Sequence, residues 1–157
     1  MTRIQKVLVG AVGLGIVLGI VVGGATVWLS RRAGRTFMKS AHAAHEQGRL
    51  EGARLDESAC IAAAFQRLRA DPSMTFAASL RENQRLVGCL EASRLSDDAC
   101  EGVPSMASPV KVGVWAGAHC QAIGLPGVYC HNLLMRLAEH CSSPKRAERP
   151  PIPAGGA

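Results

Sequence analysis

The amino-acid sequence predicts an all-α protein with one N-terminal transmembrane helix, followed by a small disulfide-stapled domain of two helical hairpins. Three observations lead to this prediction. Residues 7–29 form an uncharged apolar run, the segments after residue 56 carry apolar residues at helical spacing, and all six cysteines follow the apolar run. The 157-residue chain has room for one modest domain beside such a run. Because aromatic residues make up only 4% of the chain, the core of that domain needs covalent support.

The apolar run predicts a membrane-spanning helix preceded by a short tail, residues 1–6. It contains 23 uncharged residues, and at about 1.5 Å per residue a helix of that length crosses a hydrocarbon core of ~30 Å. Trp28 lies near the end of the run, at the level where an indole favours lipid headgroups.

A cleaved secretory signal is the alternative interpretation of this run. Arg3 and Lys6 would be its charged start, and residues 23–25 its small-residue cleavage site. The run is longer than the roughly 7 to 15 apolar residues of a signal peptide, and Arg31 and Arg32 follow it directly. We therefore interpret the run as an uncleaved signal anchor in contact with membrane lipids.

Small residues recur every four positions along the predicted spanning helix and fall on one stripe. Ile16 and Ile20 flank two of the glycines and form ridges beside them. The arrangement resembles the G-x-x-x-G pairing motif of glycophorin, in which small residues let two helices approach closely. It predicts a helix-pairing face whose partner is a transmembrane helix of a second copy or of another subunit. The face comprises Ala11, Gly15, Gly19 and Gly23.

Two signals disagree about the side of the membrane on which the domain lies. Four basic residues follow the run within ten positions and two precede it, so the positive-inside rule alone places the domain in the cytoplasm. Six cysteines without any C-x-x-C pair instead predict three disulfide bonds and an oxidising compartment. Long C-terminal domains cross membranes largely regardless of flanking charge. Since arginine dominates the basic residues, as in GC-rich bacterial genomes, we expect a single-pass bacterial inner-membrane protein with a periplasmic domain.

The remaining chain divides into a basic helical stalk over residues 30–55, a cysteine-containing helical domain over residues 56–141 and a disordered tail over residues 142–157. The first hairpin contains a helix from the N-cap Asp56 to about residue 70 and a second from Ser73 to about residue 94. Two further helices, about residues 110–123 and 128–140, flank the sequence GLPG. We expect Phe76 and Val114 to face the core. Pro and Gly dominate the tail.

The helix pattern favours one cysteine pair and leaves the other pairings open. Cys120 and Cys130 lie at similar distances from the centre of the GLPG turn, so an antiparallel hairpin brings them level. Cys60 with Cys89 would cross the first hairpin about a turn or more out of register, and that pairing would leave Cys100 with Cys141. A rival connectivity follows from the two C-x10-C spacings, which loosely resemble the twin cysteine motifs of mitochondrial coiled-coil-helix proteins. Two features depart from those motifs. The spacing is ten residues rather than nine, and the sequence LSDD at residues 95–98 should break the helix that would join Cys89 to Cys100.

No pattern in the sequence predicts a catalytic residue, a metal site or a cofactor. A net charge of +6 is dispersed, and the single tyrosine gives no aromatic platform, which excludes nucleic acid as a partner. His119, His131 and His140 each adjoin a cysteine. We therefore expect an accessory, scaffold or assembly subunit of a membrane complex. The alternative is a periplasmic thiol-disulfide or metal-handling protein that uses these neighbouring cysteine and histidine residues.

Overall fold

The computed structural model describes residues 23, 26, 28, 31, 32, 34–71, 74–125 and 127–149, which are divided between two units. The first unit is Met1–Lys39 and the second is Ser40–Ala157. The predicted spanning helix, residues 7–29, lies almost entirely outside the described residues. Within the described part of the chain, no helix is both long enough and apolar enough to cross a membrane.

The described residues of the first unit are helical and exposed. The Thr26 hydroxyl donates a hydrogen bond to the carbonyl oxygen of Gly23 at 2.8 Å, and the Arg32 guanidinium lies 5.3 Å from the centre of the Trp28 ring. The aromatic residue that we placed at the membrane surface therefore has a cation against its ring face, an electrostatic attraction between a positive charge and a π-system.

The described residues of the second unit form helices joined by loops, as the sequence predicts. Residues 34–52 are helical, and we use α1 for residues 40–52, which belong to this unit. The other helices are α2 (Glu57–Ala70), α3 (Phe76–Ala92), α4 (Pro109–Ala122), α5 (Val128–Cys141) and the single-turn α6 (Pro144–Ala147). The described residues contain no strand, although Asp56 and Arg94 form one isolated parallel bridge.

Local capping chemistry sets the ends of α2 and α3. The Asp56 carboxylate accepts a hydrogen bond from the backbone nitrogen of Ala59 at 2.8 Å, as an N-cap residue does. Thr75 caps α3 in the same way by accepting from Ala78 at 3.2 Å. The N-cap expected at Asp56 is thus confirmed, whereas α3 begins two residues later than a cap at Ser73 would give.

Helices α2 and α4 each bury a face that contains a disulfide cysteine. The buried residues recur every four positions, as Cys60, Ala64 and Leu68 in α2 and as Val112, Ala116 and Cys120 in α4. The expectation that Phe76 and Val114 face the core is wrong, because both side chains are exposed. In α4, the bond to Cys130 places Cys120 on the inward face of the helix. Val114 lies on a different face from Cys120 and is therefore exposed.

The segment that the sequence assigns to a stalk packs, from residue 40 onward, against α3. A side chain built at Gly48 would collide with the carbonyl oxygen of Arg85, and one at Gly52 with that of Cys89. Gly88 of α3 approaches the carbonyl oxygen of His45 in the same way. The two helix backbones touch because all three residues lack a Cβ atom. The packed domain therefore begins closer to the N-terminus than residue 56.

Ion pairs reinforce this contact between α1 and α3. Arg85 donates through Nε to both carboxylate oxygens of Glu51, at 2.9 and 3.0 Å, and its Nη2 contacts the same carboxylate. These hydrogen bonds raise the pKa of Arg85 against the opposing effect of burial. Arg67 of α2 joins the group through Glu82 of α3, at 2.6 Å. Three helices thus meet at one charged cluster beside the glycine contact.

The C-terminal segment after α5 is ordered as far as the structure describes it. Residues 144–147 form α6, and the side chains of Arg146 and Arg149 reach the buried Glu57. The sequence indicated disorder from residue 142 because proline and glycine dominate its last residues. For residues 142–149 the expectation of disorder is wrong, because the two arginines bind the carboxylate of Glu57. Residues 150–157 lie outside the described residues.

Candidate functional site

All six cysteines form disulfide bonds within the domain. The bonds join Cys60 to Cys89, Cys100 to Cys141 and Cys120 to Cys130, with Cα separations of 5.9, 5.6 and 6.0 Å. The Cys120–Cys130 bond spans the α4–α5 hairpin across its turn, where Gly124 and Gly127 adopt positive φ angles of 70° and 129°. The hairpin register favours the Cys120–Cys130 bond, which is confirmed. The other two bonds join the pairs that the helix positions left, although Cys60 and Cys89 were expected to lie out of register, and all three differ from the rival scheme of twin motifs.

Burial of two of these bonds indicates a structural role. Cys60, Cys89, Cys120 and Cys130 are each at most 2% exposed, and Cys100 and Cys141 are half-buried. A thiolate must reach a disulfide sulfur for exchange to occur, and burial prevents that approach. Each bond restricts the unfolded chain and contributes about 3 kcal/mol to stability.

The three histidines next to cysteines are dispersed to different surroundings. The ring of His119 lies 5.7 Å from that of Trp115, His131 lines a shallow depression beside Gly117, and His140 contacts Glu57. Their neighbouring sulfurs are bound in disulfides, so they are not available as thiolate ligands for a metal. In the part of the chain that the structure describes, no three His, Cys, Asp or Glu side chains gather as a metal site.

Most of the predicted helix-pairing stripe falls outside the described residues. Ala11, Gly15 and Gly19 are among the residues that the structure does not describe. Gly23 is described, and an added Cβ there would meet no atom within 4 Å. The pairing face of the N-terminal segment therefore stays a prediction.

A buried ionic cluster that sequence reasoning missed surrounds Glu57. This carboxylate is 0% exposed and accepts hydrogen bonds from His140 Nε2 at 2.7 Å, Arg146 Nη2 at 2.8 Å and Arg149 Nη2 at 3.0 Å. The backbone nitrogen of Ser96 donates a fourth at 3.2 Å. The partners lie up to 92 residues from Glu57 along the chain. In the sequence, an acidic residue in the first turn of a helix indicates only a favourable interaction with the helix dipole.

The cluster shifts the pKa values of Glu57 and His140. Burial opposes ionisation of Glu57, but the hydrogen bonds from Arg146, His140 and Ser96 lower the pKa of this carboxyl group below its ordinary value. Burial lowers the pKa of His140, and the nearby arginines add to that effect, while Glu57 opposes it. The neutral form of His140 is therefore favoured. Only the tautomer with its proton on Nε2 donates to Glu57, whereas Nη2 of Arg149, 3.2 Å from the same nitrogen, donates only to an unprotonated Nε2.

A second feature, an open apolar face, runs along α4. Val110 is 80% exposed and Val114 is 69% exposed. Gly113 and Gly117 lie on the same side of the helix, one turn apart, and an added Cβ at either position would meet no atom within 4 Å. This α4 face consists of Val110, Gly113, Val114 and Gly117.

The α4 face continues into a shallow depression at the end of the hairpin. Gly117 of α4 and Val128 of α5 both line this depression, which has a volume of about 280 Å³. Val128 is itself 62% exposed. Gly117 and Gly127 contribute no side chains to this depression, and Gln121 and His131 complete its lining.

Comparison with protein-family models, with curated proteins and with solved structures finds no match to this chain. The geometry of the described residues is therefore the basis for any functional conclusion. Among the described residues, the six cysteines are bonded, Glu57 is enclosed by its own partners and the α4 face is open.

Proposed function

We propose that this chain is a membrane-anchored assembly subunit whose disulfide-stapled domain joins copies of the chain through the α4 face. The observation that carries the proposal is that face, on which Val110 and Val114 flank two glycines with open space above them. Apolar surface exposed in a contiguous strip is stabilised when another apolar surface covers it.

The domain itself indicates what fits such a face. Glycines four residues apart in α1 are covered by the backbone of α3, and Gly88 of α3 faces back toward α1. The glycines of the α4 face have the same spacing and a helical backbone of the same kind. A second helix therefore suits this face, because it can approach closely and pack its side chains against the two valines.

Charge favours a second copy of α4 in antiparallel orientation. Apart from His119 in its last turn, α4 contains one ionisable side chain, Lys111 near its beginning. Two parallel copies would place both lysines side by side. An antiparallel pair places each lysine near the C-terminal end of the other helix, whose carbonyl groups carry partial negative charge. The pair is then a symmetric dimer in which the same patch is used twice.

The N-terminal run supports the membrane part of the proposal. Its 23 uncharged residues have the length and composition of a spanning segment, and its small-residue stripe offers a second helix-pairing face. The three disulfide bonds favour the periplasm as the location of the domain, because disulfides form and persist in oxidising compartments.

Site-specific photo-cross-linking of the full chain in membranes tests the proposal. A photoreactive amino acid at position 114 is expected to give a product of twice the chain's mass, and the same amino acid at position 76 is the control. Phe76 is also exposed, at 66%, but it lies on α3 away from the α4 face. Cross-links of equal yield at both positions, or a position-114 product that contains a different protein, would overturn self-association through α4.

Two substitutions separate the contributions of the domain and of the N-terminal segment. Val114→Glu should lower the dimer yield by placing a charge in the proposed interface, and Phe76→Glu should leave it unchanged. Gly19→Ile tests the predicted stripe in the same assay, with Gly13→Ile as its off-stripe control. If Gly19→Ile lowers dimer yield while Val114→Glu does not, association depends on the anchor alone and the role of α4 is contradicted.

A further inference from the structure

A groove in the domain adjoins the Glu57 cluster. It has a volume of about 480 Å³ and lies between α1, α3, α5 and the C-terminal segment. Val87 and Leu90 contribute its apolar lining. Cationic side chains dominate the rest, namely Arg49, Arg136, Lys145, Arg146 and Arg149. We call this cavity the basic groove.

The basic groove carries an excess of positive charge. Two carboxylates also line it, and each is already engaged: Glu91 with His45 at 3.0 Å and Glu139 with Arg136 at 2.7 Å. Glu57 is shared between two arginines. Five cationic side chains against three carboxylates leave two positive charges uncompensated. Within the described residues, Arg49 and Lys145 have no ion-pair partner.

Two arginines of the groove are held in fixed positions by the buried cluster. Arg146 donates through Nε and Nη2 to Glu57 and through Nη2 to the carbonyl oxygen of Ser96 at 3.1 Å. Arg149 donates through Nη1 to the carbonyl oxygens of Leu90 and Ser93, both at 3.0 Å, and through Nη2 to Glu57. These contacts leave Nη1 of Arg146 and Nε of Arg149 as unused donors on side chains that are about a quarter exposed.

This arrangement suits a tetrahedral oxyanion. A guanidinium presents its N–H groups in a plane that matches the oxygens of a phosphate, and a guanidinium already ordered by other contacts loses little entropy when it binds. Arg49 and Lys145 supply unpaired charge beside the ordered pair. The groove is larger than a single phosphate group, so a phosphate ester with a small substituent fits it.

We propose that the basic groove binds a phosphate group, with Arg146 and Arg149 as fixed donors and Arg49 and Lys145 as uncompensated charges. A lipid headgroup and a soluble phosphate ester both offer this chemistry. The site is independent of the α4 face, because none of its residues belongs to α4 or to the depression beside it.

Titration of the full chain in neutral phosphatidylcholine nanodiscs tests the proposal. Inorganic phosphate is added at constant ionic strength, with chloride as the control anion, and the Nε–Hε resonances of the arginines are followed by NMR. Phosphate should shift the resonances of Arg146 and Arg149 with saturation, and chloride should not. The double variant R49A and K145A should weaken binding about tenfold, as expected for the loss of two charge-assisted contacts. Lys111→Ala removes a cation outside the groove and should leave binding unchanged.

Nanodiscs that contain phosphatidylglycerol distinguish the two sources. If the headgroup of the surrounding membrane occupies the groove, these discs should raise the apparent Kd for inorganic phosphate. If a soluble ester is the ligand, the Kd should be the same in both discs, and glycerol phosphate should compete. Absence of saturable shifts in phosphatidylcholine discs, or equal binding by the wild type and the double variant, would overturn the proposal.

Discussion

The domain contains two pairs of glycines four residues apart, and they have opposite surroundings. In α1, Gly48 and Gly52 touch backbone carbonyl oxygens of α3, so that no side chain fits. In α4, Gly113 and Gly117 have no atom within 4 Å of an added Cβ. The spacing is identical, but only the α1 pair is covered by another helix of the domain. A glycine pair on a helix is therefore a potential contact face, and tertiary structure decides whether it is used within the chain or left for another molecule.

The largest effect is expected when a side chain is forced into the covered pair. Gly48→Leu should lower the free energy of unfolding by about 3 kcal/mol, because the new side chain meets the backbone of α3, which cannot rotate away as a side chain does. Denaturant unfolding of the full chain in detergent, followed by circular dichroism, measures the change.

Gly117→Leu is the matched control for that experiment. It also replaces a glycine within a helix, but the space above it is open. We expect the stability of the monomer to stay the same or rise slightly. Equal losses at both positions would contradict the distinction between a covered and an open pair.

Acid should lower the stability of the domain through the buried ionic cluster around Glu57. The α4 face contains no ionisable residue and should not contribute. Because the pKa of His140 in the folded state lies below its ordinary value of 6.5, the unfolded chain binds a proton first as the pH falls. Stability is complete above pH 6.5 and should decrease below it, by at most about 1.4 kcal/mol per pH unit. Glu57, whose pKa is below 4.5 in the folded state, adds a second decrease in stronger acid.

Unfolding curves recorded between about pH 8 and pH 5 check the first of these decreases. This range brackets the ordinary pKa of histidine, about 6.5. His140→Gln keeps a hydrogen-bond donor toward Glu57 but does not titrate, so it should flatten the decrease below pH 6.5. His131→Gln, outside the cluster, should leave the decrease in place. A wild-type stability that rises as the pH falls through this range would disprove the direction given for His140.

A smaller loss should follow when the ion pair beside the covered glycines is broken. Glu51→Gln removes the charge that faces Arg85 and Arg67, both partly buried. We expect the free energy of unfolding to fall by about 1 kcal/mol, between the values for exposed and buried pairs. Glu139→Gln breaks an exposed pair with Arg136 and serves as the comparison. A larger loss for Glu139→Gln than for Glu51→Gln would show that the cluster does not support the α1 contact.

The smallest effect is a gain in stability at the open pair. In the monomer, Gly113→Ala should raise the free energy of unfolding by about 0.5 to 1 kcal/mol, because alanine favours a helix interior and the added methyl group meets no neighbour within the chain. Thermal unfolding should show a higher midpoint. A lower midpoint would indicate that this face is already covered in the isolated chain.

The sequence by itself determined the local features of the domain. The all-helical class and the N-cap at Asp56 follow from capping chemistry and periodicity. The pairing of Cys120 with Cys130 follows from their positions around a glycine-containing turn. Each of these features depends on residues that are close together along the chain, so that a local pattern contains the information.

Only the tertiary structure decided which helix faces are covered. In α4, valines occur on several sides, and the inward position of Cys120, fixed by its bond to α5, selects Val112 for the core and leaves Val114 exposed. The partners of Glu57 lie 83 to 92 residues away, and the contact of Gly48 with α3 joins segments that no periodicity relates. Such choices depend on the neighbour that a surface meets in space, and a single helix does not specify that neighbour.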